Sequence, residues 1–379
     1  MKFLALSDLH LGKRLCNYSL LEDQEFVLNE ALALATREEV DAVLLSGDIY
    51  DSAAPSSEAT EVFDTFVSHL WKKHIPLLAI AGNHDSPEKL HYASSILAEN
   101  GIHFVTKVKD SNLPIEIAGV NFYLLPFVTT AEVNASFKDA DFHKLSDAVS
   151  YLLDRMELDP EKPNVLLANQ AVIPSGQKLQ IAGSETEPPV DENGYVGNSE
   201  IVPASLFEKF DYVALGHIHK AWTFPDGKMR YPGAILKYDK SEANLPREFT
   251  LVTMDGKKAT IETRPILPLR DLTVLTGKLE DLCAESEHRE DYVYANLTDE
   301  QYQDEPMAKL KAHHHYTLGV SYGNLRQQGA AIEHIDVKKT SKNELFGKLY
   351  EHSTGKKISP EEEETMKEEI REYFKEEGK

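Results

Sequence analysis

Two short polar clusters near the N-terminus combine residue types and a spacing that suit metal chemistry. Asp8 and His10 stand two positions apart, directly after an apolar run at residues 3–7. In an extended chain, residues i and i+2 point to the same side, so both side chains are expected to face one site. Asp48 follows the next apolar run, residues 42–46, after a glycine that lets the backbone turn beside the carboxylate. The pattern predicts two carboxylates and an imidazole at the ends of two strands.

Two further clusters have the same character and the same placement. Asn83, His84 and Asp85 follow a glycine where a third apolar run ends. His217 and His219 are again two positions apart, behind a late apolar run. These side chains supply oxygen or imidazole nitrogen and no sulfur, which suits Mn²⁺, Fe or Zn²⁺ and, with several carboxylate or amide oxygens, favours Mn²⁺. Singly, Asp8 with His10 could be chance, the clusters at 47–48 and 82–85 are ordinary turn chemistry, and His217 with His219 could be a satisfied pair at a strand end. All four together at predicted strand ends indicate a metal centre.

The clusters need a scaffold that brings distant strand ends together, and the hydrophobic pattern predicts one. Strands are expected at residues 3–7, 42–46, 77–81, 115–118, 122–125, 165–168 and 212–215. Helices are expected at residues 22–38 and 57–74, the second with apolar residues at helical spacing. Strands that alternate with helices predict an α/β fold whose sheet is covered on both faces, with ligands beyond the carboxyl ends of the strands.

The length and the later part of the chain predict more than one domain. A chain of 379 residues has room for two or three domains, and the pattern changes near residue 265. We expect a first domain over residues 1–265 and a second, of shorter helices and strands, over 266–340. Two capping-box patterns predict C-terminal helices over 341–379. The apolar stripe of the last helix either packs on its own core or meets a partner helix.

The four clusters, in this order, resemble those of the calcineurin-like metallophosphoesterases. Four longer stretches are similar to the SbcD group of bacterial DNA exonuclease subunits: residues 8–13, 46–51, 231–238 and 268–272. The resemblance covers nearly the whole chain. It implies a two-sheet α/β sandwich for the first domain and a capping domain that discriminates DNA for the second. It also implies that the C-terminal helices bind an SbcC-type ATPase subunit.

The resemblance implies a role for each residue of the clusters. Two ions, expected to be Mn²⁺, would be held by Asp8, His10 and His219 on one side and by Asn83 and His217 on the other, with Asp48 as the bridge. Such ions clamp the phosphodiester and lower the pKa of a water for attack on phosphorus. His84 would stabilise the developing charge or protonate the leaving oxygen, with Asp85 or Asp51 as the group that orients it. Asp51 stands where some relatives carry a second catalytic histidine.

Asn169 departs from the family pattern, because a histidine ligand of the second metal is expected behind the strand at residues 165–168. Three explanations stay open: the amide oxygen of Asn169 ligates the metal, the site is naturally weakened, or a histidine was deliberately replaced to trap an inactive enzyme. Each predicts weaker binding of the second metal and slower hydrolysis, because an amide oxygen is a poorer donor than a neutral imidazole.

Composition narrows the class of protein. The longest apolar run, residues 75–81, is far too short to span a bilayer, and the N-terminus leads at once into the first strand rather than into a signal peptide. Cys16 and Cys283 are expected to be free thiols in a reducing cytosol. The formal charge of −23 is awkward for a DNA enzyme unless bound metals or a partner's basic surface offset it. The histidine run at 313–315 is expected in an exposed loop or at a strand edge.

The expected function is that of a cytoplasmic, metal-dependent DNA exo- and endonuclease subunit. It would work with the ATPase on DNA ends and hairpins, as a homodimer within a heterotetramer. Two alternatives stay open. One is a small-molecule phosphodiesterase of the same fold, against which the long C-terminal part argues. The other is a DNA-end-binding scaffold whose chemistry is weakened at Asn169.

Overall fold

The computed structural model describes residues 1–174, 195–196 and 199–323, and of residues 195, 196, 199 and 200 it describes the backbone only. The C-terminal helices predicted over 341–379 lie outside the described residues. The chain divides into two compact units. The first takes in Met1–Val274, Ser286–Tyr294 and His314–Leu318, and the second takes in Leu275–Glu285, Ala295–His313 and the chain from Gly319 onward.

The described residues form many short strands and fewer helices. The earlier strands are β1 (Lys2–Leu6), β2 (Arg14–Leu15), β3 (Tyr18–Ser19), β4 (Ala42–Leu45), β5 (Leu77–Ile80), β6 (Ile102–Val105), β7 (Ile115–Ile117), β8 (Val120–Leu125), β9 (Asn164–Asn169) and β10 (Val172–Ile173). The later strands are β11 (Tyr195–Val196), β12 (Ser199–Glu200), β13 (Val202–Pro203), β14 (Tyr212–Gly216), β15 (Trp222–Thr223), β16 (Met229–Tyr231), β17 (Glu248–Asp255), β18 (Lys258–Pro265), β19 (Leu272–Gly277), β20 (Tyr292–Leu297) and β21 (Tyr316–Tyr322).

The helices lie between these strands. They are α1 (Leu21–Arg37), α2 (Ser57–Lys72), α3 (Pro87–Leu90), α4 (Ser94–Ala98), α5 (Thr130–Ser136), α6 (Leu145–Asp154), α7 (Leu279–Ala284) and α8 (Pro306–Lys311). Single turns of 3₁₀ helix lie at Val108–Asp110, Ala204–Phe207 and Lys240–Glu242. Among the described residues, no helix is long and apolar enough to cross a membrane.

Helix α2 shows how the sequence sets these elements. Ser56 caps its N-terminus, with the hydroxyl oxygen accepting a hydrogen bond from Ala59 N at 3.2 Å. Ala59, Phe63, Phe66 and Leu70 follow at spacings of three or four and are all buried. One apolar stripe of this kind lets the helix cover one face of a sheet and leave its other face in water.

Two six-stranded sheets dominate the first unit. The first has the strand order β18-β17-β1-β4-β5-β6, in which β1, β4, β5 and β6 are parallel and β17 and β18 antiparallel to their neighbours. The second has the order β15-β16-β14-β9-β8-β7, with β8, β9, β14 and β16 parallel. The carboxyl ends of neighbouring parallel strands lie at one edge of each sheet.

Alternate residues of β1 show how the layers pack. Phe3 lies between the two sheets, with its ring centroid 5.8 Å from those of Phe122 and of Tyr212. Leu4 and Leu6 point the other way, into a core that contains the apolar residues of α1 and α2. Helix α6 covers the outer face of the second sheet. The first unit is therefore a helix–sheet–sheet–helix sandwich, which confirms the predicted α/β class and its two sheets.

The predicted elements of the first unit are confirmed, with ends that differ by up to two residues. The hydrophobic pattern taken alone predicted one sheet with helices on both faces, and that prediction is wrong. As the resemblance implied, there are two sheets, each covered by helices on one face and by the other sheet on the opposite face. Cys16 and Cys283 are free thiols, as predicted. The prediction for the histidine run is wrong at His314, which is fully buried with its Nδ1 3.1 Å from the carbonyl oxygen of His288.

The second unit has its own small core. Leu279 and Leu282 of α7 pack with Leu310 of α8 and with Ala295 and Leu297 of β20. The later parts of β19, β20 and β21, from Leu275, Ala295 and Gly319 onward, belong to this unit, with β20 in the centre. The second unit thus combines short helices and strands, the mixture that the sequence predicts after residue 265.

Candidate metal centre

The candidate residues follow the carboxyl ends of β1, β4, β5, β9 and β14, and hydrogen bonds join these ends. The N–H of Asp8 donates to the carbonyl oxygen of Gly47 at 3.1 Å. The N–H of His217 donates to Asp8 Oδ1 at 2.8 Å, and the amide of Asn169 donates to the carbonyl oxygen of Ser46 at 2.9 Å. The two sheets thus meet at the polar clusters, and residues more than 200 positions apart share one site.

Two glycines make this close approach of the strands feasible. A Cβ on Gly82 would lie 2.3 Å from the backbone nitrogen of Asp48, and a Cβ on Gly216 would lie 1.9 Å from the carbonyl oxygen of Ser46. Any side chain at either position would push the strand ends apart. The glycines that precede the polar residues therefore serve packing between strand ends as well as turning of the chain.

Asp8, His10 and His219 form the part of the centre that we call the His219 side. All three are fully buried, and their ligand atoms lie within 4.8 Å of one another. The Nε2 atoms of His10 and His219 are 3.0 Å apart. Among the described residues, Asp8 Oδ2 has no hydrogen-bond partner. A buried carboxylate oxygen without a partner beside two imidazoles is an arrangement that a cation would complete.

Asn83, His217 and Asn169 form the opposite part, which we call the His217 side. His217 is buried but Asn83 is exposed, and His217 Nδ1 lies 2.9 Å from Asn83 Oδ1. The ring of Phe127 stacks on that of His217, with centroids 5.8 Å apart and an interplanar angle of 26°. This side of the centre is therefore open to solvent at Asn83.

Asp48 lies between the two sides. Its Oδ1 accepts a hydrogen bond from the N–H of His84 at 3.0 Å, and its Oδ2 accepts one from Asn169 Nδ2 at 3.1 Å. Because Asn169 Nδ2 donates to two acceptors, its Oδ1 is the atom left over, and it is buried without a hydrogen-bond partner among the described residues. The amide of Asn169 thus presents an oxygen where the family pattern has a histidine.

Four of the candidate ligands adopt left-handed backbone conformations: Asp8 (φ 52°), His10 (φ 45°), Asp48 (φ 52°) and His217 (φ 93°). Such conformations cost free energy for residues other than glycine, and they persist only where surrounding contacts impose them. Gln24 of α1 supplies two of these contacts, since its amide donates to the carbonyl oxygens of Leu9 and His10 at 2.9 and 2.7 Å.

Asp85 imposes the strained turn at Asp48. Its carboxylate accepts hydrogen bonds from the N–H groups of Ile49 at 3.1 Å, Tyr50 at 3.0 Å and Gly82 at 2.8 Å. These contacts make Asp85 a link between the ends of β4 and β5. The role predicted for it, orientation of His84, stays a prediction.

His84 and Asp51 lie together beside His10. The Nδ1 of His84 is 2.9 Å from the carbonyl oxygen of Asp51, and the rings of His84 and His10 meet edge to face with centroids 4.7 Å apart. The Asp51 carboxylate lies 2.8 Å from Lys13 Nζ and 3.6 Å from His10 Nδ1. Since a carbonyl oxygen only accepts, Nδ1 of His84 carries the proton, which fixes its tautomer.

Burial sets the electrostatics of the centre. It raises the pKa of Asp8 to about 7, with a further contribution from Asp48 and an opposing one from His219. Burial, again with Asp48, raises the pKa of Asp85 to about 7. Asp51 differs: burial alone would raise its pKa, but the nearby His10 imidazole and the Lys13 ammonium outweigh burial and lower the pKa of Asp51 to about 2. Carboxylates that resist ionisation when crowded together are the groups whose charge a bound cation stabilises.

Sequence reasoning missed the residues that hold the ligands in place. Glu242 is fully buried, with its Oε1 3.0 Å from His219 Nδ1, and His219, Arg247 and the N–H of Tyr238 hold its pKa below the ordinary value against the effect of burial. Gln24 and Phe127 were also missed. None of these residues lies in a polar cluster at a strand end, so spacing along the chain carries no signal for them.

The chain is similar to known protein families over most of its length. A family profile described as calcineurin-like phosphoesterase matches residues 1–221, and one described as type 5 capsule protein repressor C-terminal domain matches residues 268–354. The SbcD subunit of the nuclease SbcCD from Staphylococcus epidermidis is 30% identical over 374 residues, which cover 97% of each chain.

Two solved structures are similar to part of the chain at low sequence identity. The structure of TT1561 of Thermus thermophilus is 14% identical, covers 70% of this chain and 99% of its own, and has a TM-score of 0.40. That of a dimetal phosphatase from Danio rerio is 12% identical, covers 70% of this chain and 99% of its own, and has a TM-score of 0.39.

Proposed function

Because this chain belongs to the calcineurin-like phosphoesterase family, within its SbcD group, we propose that it is the metal-dependent nuclease subunit of an SbcC–SbcD type complex that processes DNA ends. The observation that carries the proposal is the convergence of two buried imidazoles and the unpartnered Asp8 Oδ2, whose ligand atoms lie within 4.8 Å of one another. The 30% identity to a nuclease subunit over almost the whole chain supports the substrate class.

The donor set fits two divalent ions. Asp8, His10 and His219 would hold one, Asn83, Asn169 and His217 the other, and Asp48 would contact both. Oxygen and imidazole donors without thiolate favour Mn²⁺ over softer ions. When bound, such ions neutralise charge on the phosphodiester and lower the pKa of a water near phosphorus. Gln24 holds the left-handed backbone at His10, and Asp85 holds the turn that follows Asp48, so both ligands are preorganised for the ions.

His84 is the group that we propose to act on the substrate. The carbonyl oxygen of Asp51 holds its Nδ1–H, so the ring keeps one orientation and directs Nε2 away from that carbonyl. In the imidazolium form, with Nδ1–H still on that carbonyl, Nε2–H would donate a proton to the leaving oxygen or stabilise charge on phosphorus. Asp51 and Lys13 form an ion pair beside it, and the low pKa of Asp51 keeps that carboxylate ionised.

The finer features of the function follow from family membership. We propose double-strand exonuclease and single-strand endonuclease activities, a homodimer within a heterotetramer, an SbcC-type ATPase partner and a cytoplasmic location. The domain plan is a nuclease domain at 1–265, a DNA-capping domain at 266–340 and ATPase-binding helices at 341–379. Because the chain carries a formal charge of −23, it repels phosphate overall. We therefore propose that a partner subunit or bound metals supply the positive charge that attracts DNA.

A direct assay tests the function. The chain and its Asn169→His variant are compared for Mn²⁺-dependent degradation of double-stranded DNA and for hydrolysis of a p-nitrophenyl phosphate ester. DNA degradation by either chain, abolished by EDTA, is the expected result. Ester hydrolysis without DNA degradation would instead identify a small-molecule phosphodiesterase of the same fold.

A second candidate function is a DNA-end-binding scaffold with weakened chemistry, and Asn169 is the observation that favours it. An amide oxygen in place of an imidazole would bind the second ion less tightly. Under this alternative, neither chain hydrolyses DNA or the ester, yet the wild-type chain retains DNA ends in a binding assay. Restoration of DNA hydrolysis by Asn169→His would show a nuclease site weakened at a single ligand.

A further inference from the structure

Glu242 is a fully buried carboxylate in the 3₁₀ turn Lys240–Glu242. Its Oε1 lies 3.0 Å from Nδ1 of His219. Its Oε2 accepts a hydrogen bond from the N–H of Tyr238 at 2.7 Å and another from the guanidinium of Arg247. Burying a charged carboxylate costs free energy, so the position of Glu242 against a candidate metal ligand needs an explanation.

The partners of Glu242 determine the protonation of His219. The backbone N–H of Tyr238 and the guanidinium of Arg247 only donate, so the carboxylate only accepts. The hydrogen between Oε1 and His219 therefore lies on Nδ1, and Nε2 presents its lone pair to Asp8 and His10. This is the tautomer that a metal ligand needs.

We propose that Glu242, together with Arg247, is a positioning residue that fixes the tautomer and the orientation of His219 for metal binding. The inference rests on the proposed metal centre. Glu242 holds the ring, and Arg247 holds the backbone of the same residue, since its Nη1 donates to the carbonyl oxygen of His219 at 2.8 Å. Two contacts on one ligand leave its ring no freedom to turn.

The same support reaches His10. Tyr238, whose N–H is held by Glu242, donates its hydroxyl hydrogen to the carbonyl oxygen of Leu9. Gln24 donates to that oxygen at 2.9 Å and to the carbonyl oxygen of His10 at 2.7 Å. A continuous buried network therefore holds both histidines of the His219 side and the left-handed backbone of His10.

Stability alone does not account for this ion pair. Replacing a buried ion pair by apolar residues of similar volume is often neutral or stabilising. The geometry of Glu242 is better explained by His219, because the hydrogen bond from a ligating imidazole to a carboxylate orients the ring and raises its basicity. Buried Arg230 pairs with Glu248 elsewhere in the first unit, on β16 and β17, and serves as a matched control.

The test uses the full metal-free chain and Mn²⁺ alone, with free Mn²⁺ measured by electron paramagnetic resonance. Glu242→Gln is expected to weaken the tighter Mn²⁺ site by about 10- to 100-fold. Glu248→Gln, which removes the carboxylate of the other ion pair, is expected to lower the unfolding temperature without changing Mn²⁺ affinity. The double variant Glu242→Gln/Arg247→Gln leaves no lone buried charge and should lose at least as much Mn²⁺ affinity as Glu242→Gln, because it also removes the contact of Arg247 with the His219 backbone.

A second readout needs no metal. In ¹⁵N-histidine NMR of the metal-free chain, His219, identified by comparison with His219→Gln, should carry its proton on Nδ1, and Glu242→Gln should reduce that fraction. Two bound Mn²⁺ in the wild type, with unchanged affinity in both Glu242 variants, would overturn the inference and leave the proposed function standing. A wild type that binds no Mn²⁺ would contradict the proposed function and the inference with it.

Discussion

The two sides of the candidate metal centre differ in how their ligands are held. On the His219 side, both imidazoles are fully buried, and a network of Glu242, Arg247 and Gln24 holds them from behind. On the His217 side, Asn83 is exposed, and the Nδ1 of His217 faces the side chain of Asn83 rather than a buried carboxylate. The sequence motifs are equally distinct on both sides. The difference therefore comes from the residues outside the motifs that contact the ligands.

The difference teaches that a ligand motif does not set the strength of a site. We expect the His219 side to bind its ion tightly, because its ligands are already ordered and its imidazole is made more basic by a carboxylate. We expect the His217 side to bind weakly and to exchange its ion, because Asn169 supplies a poorer donor and solvent reaches Asn83. Four experiments can break or sharpen this contrast.

The largest effect is expected for Asp48→Asn, which changes the residue between the two sides. Loss of a shared carboxylate should weaken Mn²⁺ binding on both sides and slow DNA hydrolysis by roughly 1,000-fold. Mn²⁺ titration and nuclease assays measure the two effects. The exposed Asp64 of α2 offers the control Asp64→Asn, which should change neither. Retention of one ion at wild-type affinity would mean that Asp48 serves a single side.

The next effect is a pH dependence of stability that belongs to the His219 side. The pKa of Asp8 is raised to about 7 in the folded chain against about 4 when unfolded, so the folded chain binds more protons between these values. Stability of the metal-free chain should therefore fall by on the order of 2 kcal/mol as the pH rises from about 5 to about 8. Asp85, whose pKa is also raised to about 7, contributes in the same direction.

Urea unfolding in EDTA, followed by tryptophan fluorescence, measures this slope, because Trp71 and Trp222 both lie in the first unit. Asp8→Asn should reduce the slope, and Mn²⁺ added to the wild type at the higher pH should restore stability. If stability depends on pH equally in the wild type and in Asp8→Asn, the buried Asp8 carboxylate is not the group whose charge Mn²⁺ stabilises.

A smaller effect is expected for Asn169→His, which should make the two sides more alike. An imidazole in place of the buried, unpartnered Oδ1 should tighten the weaker Mn²⁺ site by roughly 10-fold, the usual scale for one improved ligand contact, and should raise the rate of DNA hydrolysis. Asn169→Ala is the matched comparison and should weaken that site further. If His and Ala at position 169 bind Mn²⁺ equally, the residue is not a ligand.

The smallest effect is expected for Phe127→Leu, which removes the ring that stacks on His217. An aromatic contact of this kind contributes about 1 kcal/mol, so the weaker Mn²⁺ site should lose roughly fivefold in affinity while the tighter site stays unchanged. Phe137 packs on Tyr151 elsewhere in the first unit, and Phe137→Leu should leave both affinities unchanged. A loss on the His219 side instead would show that the two sides are coupled.

The strands and clusters could be predicted from the sequence because their signals are local. Apolar runs such as the one before Asp8 indicate a strand that is buried on both faces of its sheet. A glycine followed by Asp48 or Asn83 indicates the end of a strand. Parallel strands bring such ends to one edge of a sheet, so the clusters could be assigned to one site before any coordinates were known. The family resemblance rested on the same residues.

The supporting residues could not be predicted, because their partners are distant in the chain. Glu242 meets His219 only because the chain between them folds back from β16 through the 3₁₀ turn, and Gln24 reaches Leu9 and His10 from a helix that looks like any other amphipathic helix. The same reason explains the error at His314, since burial of one histidine in a polar run depends on packing that the run does not encode.

The sequence by itself determined the α/β class, the order of the strands along the chain and the types of donor atoms available for a metal. Hydrophobic periodicity and residue chemistry depend on neighbours only a few positions apart, so they can be recognised in the sequence without knowledge of the fold. Only the tertiary structure decided which strands belong to which of the two sheets, that Asn169 turns its amide oxygen inward, and that Glu242 lies against His219. Those outcomes depend on which distant surfaces pack together, and packing is a property of the folded chain as a whole.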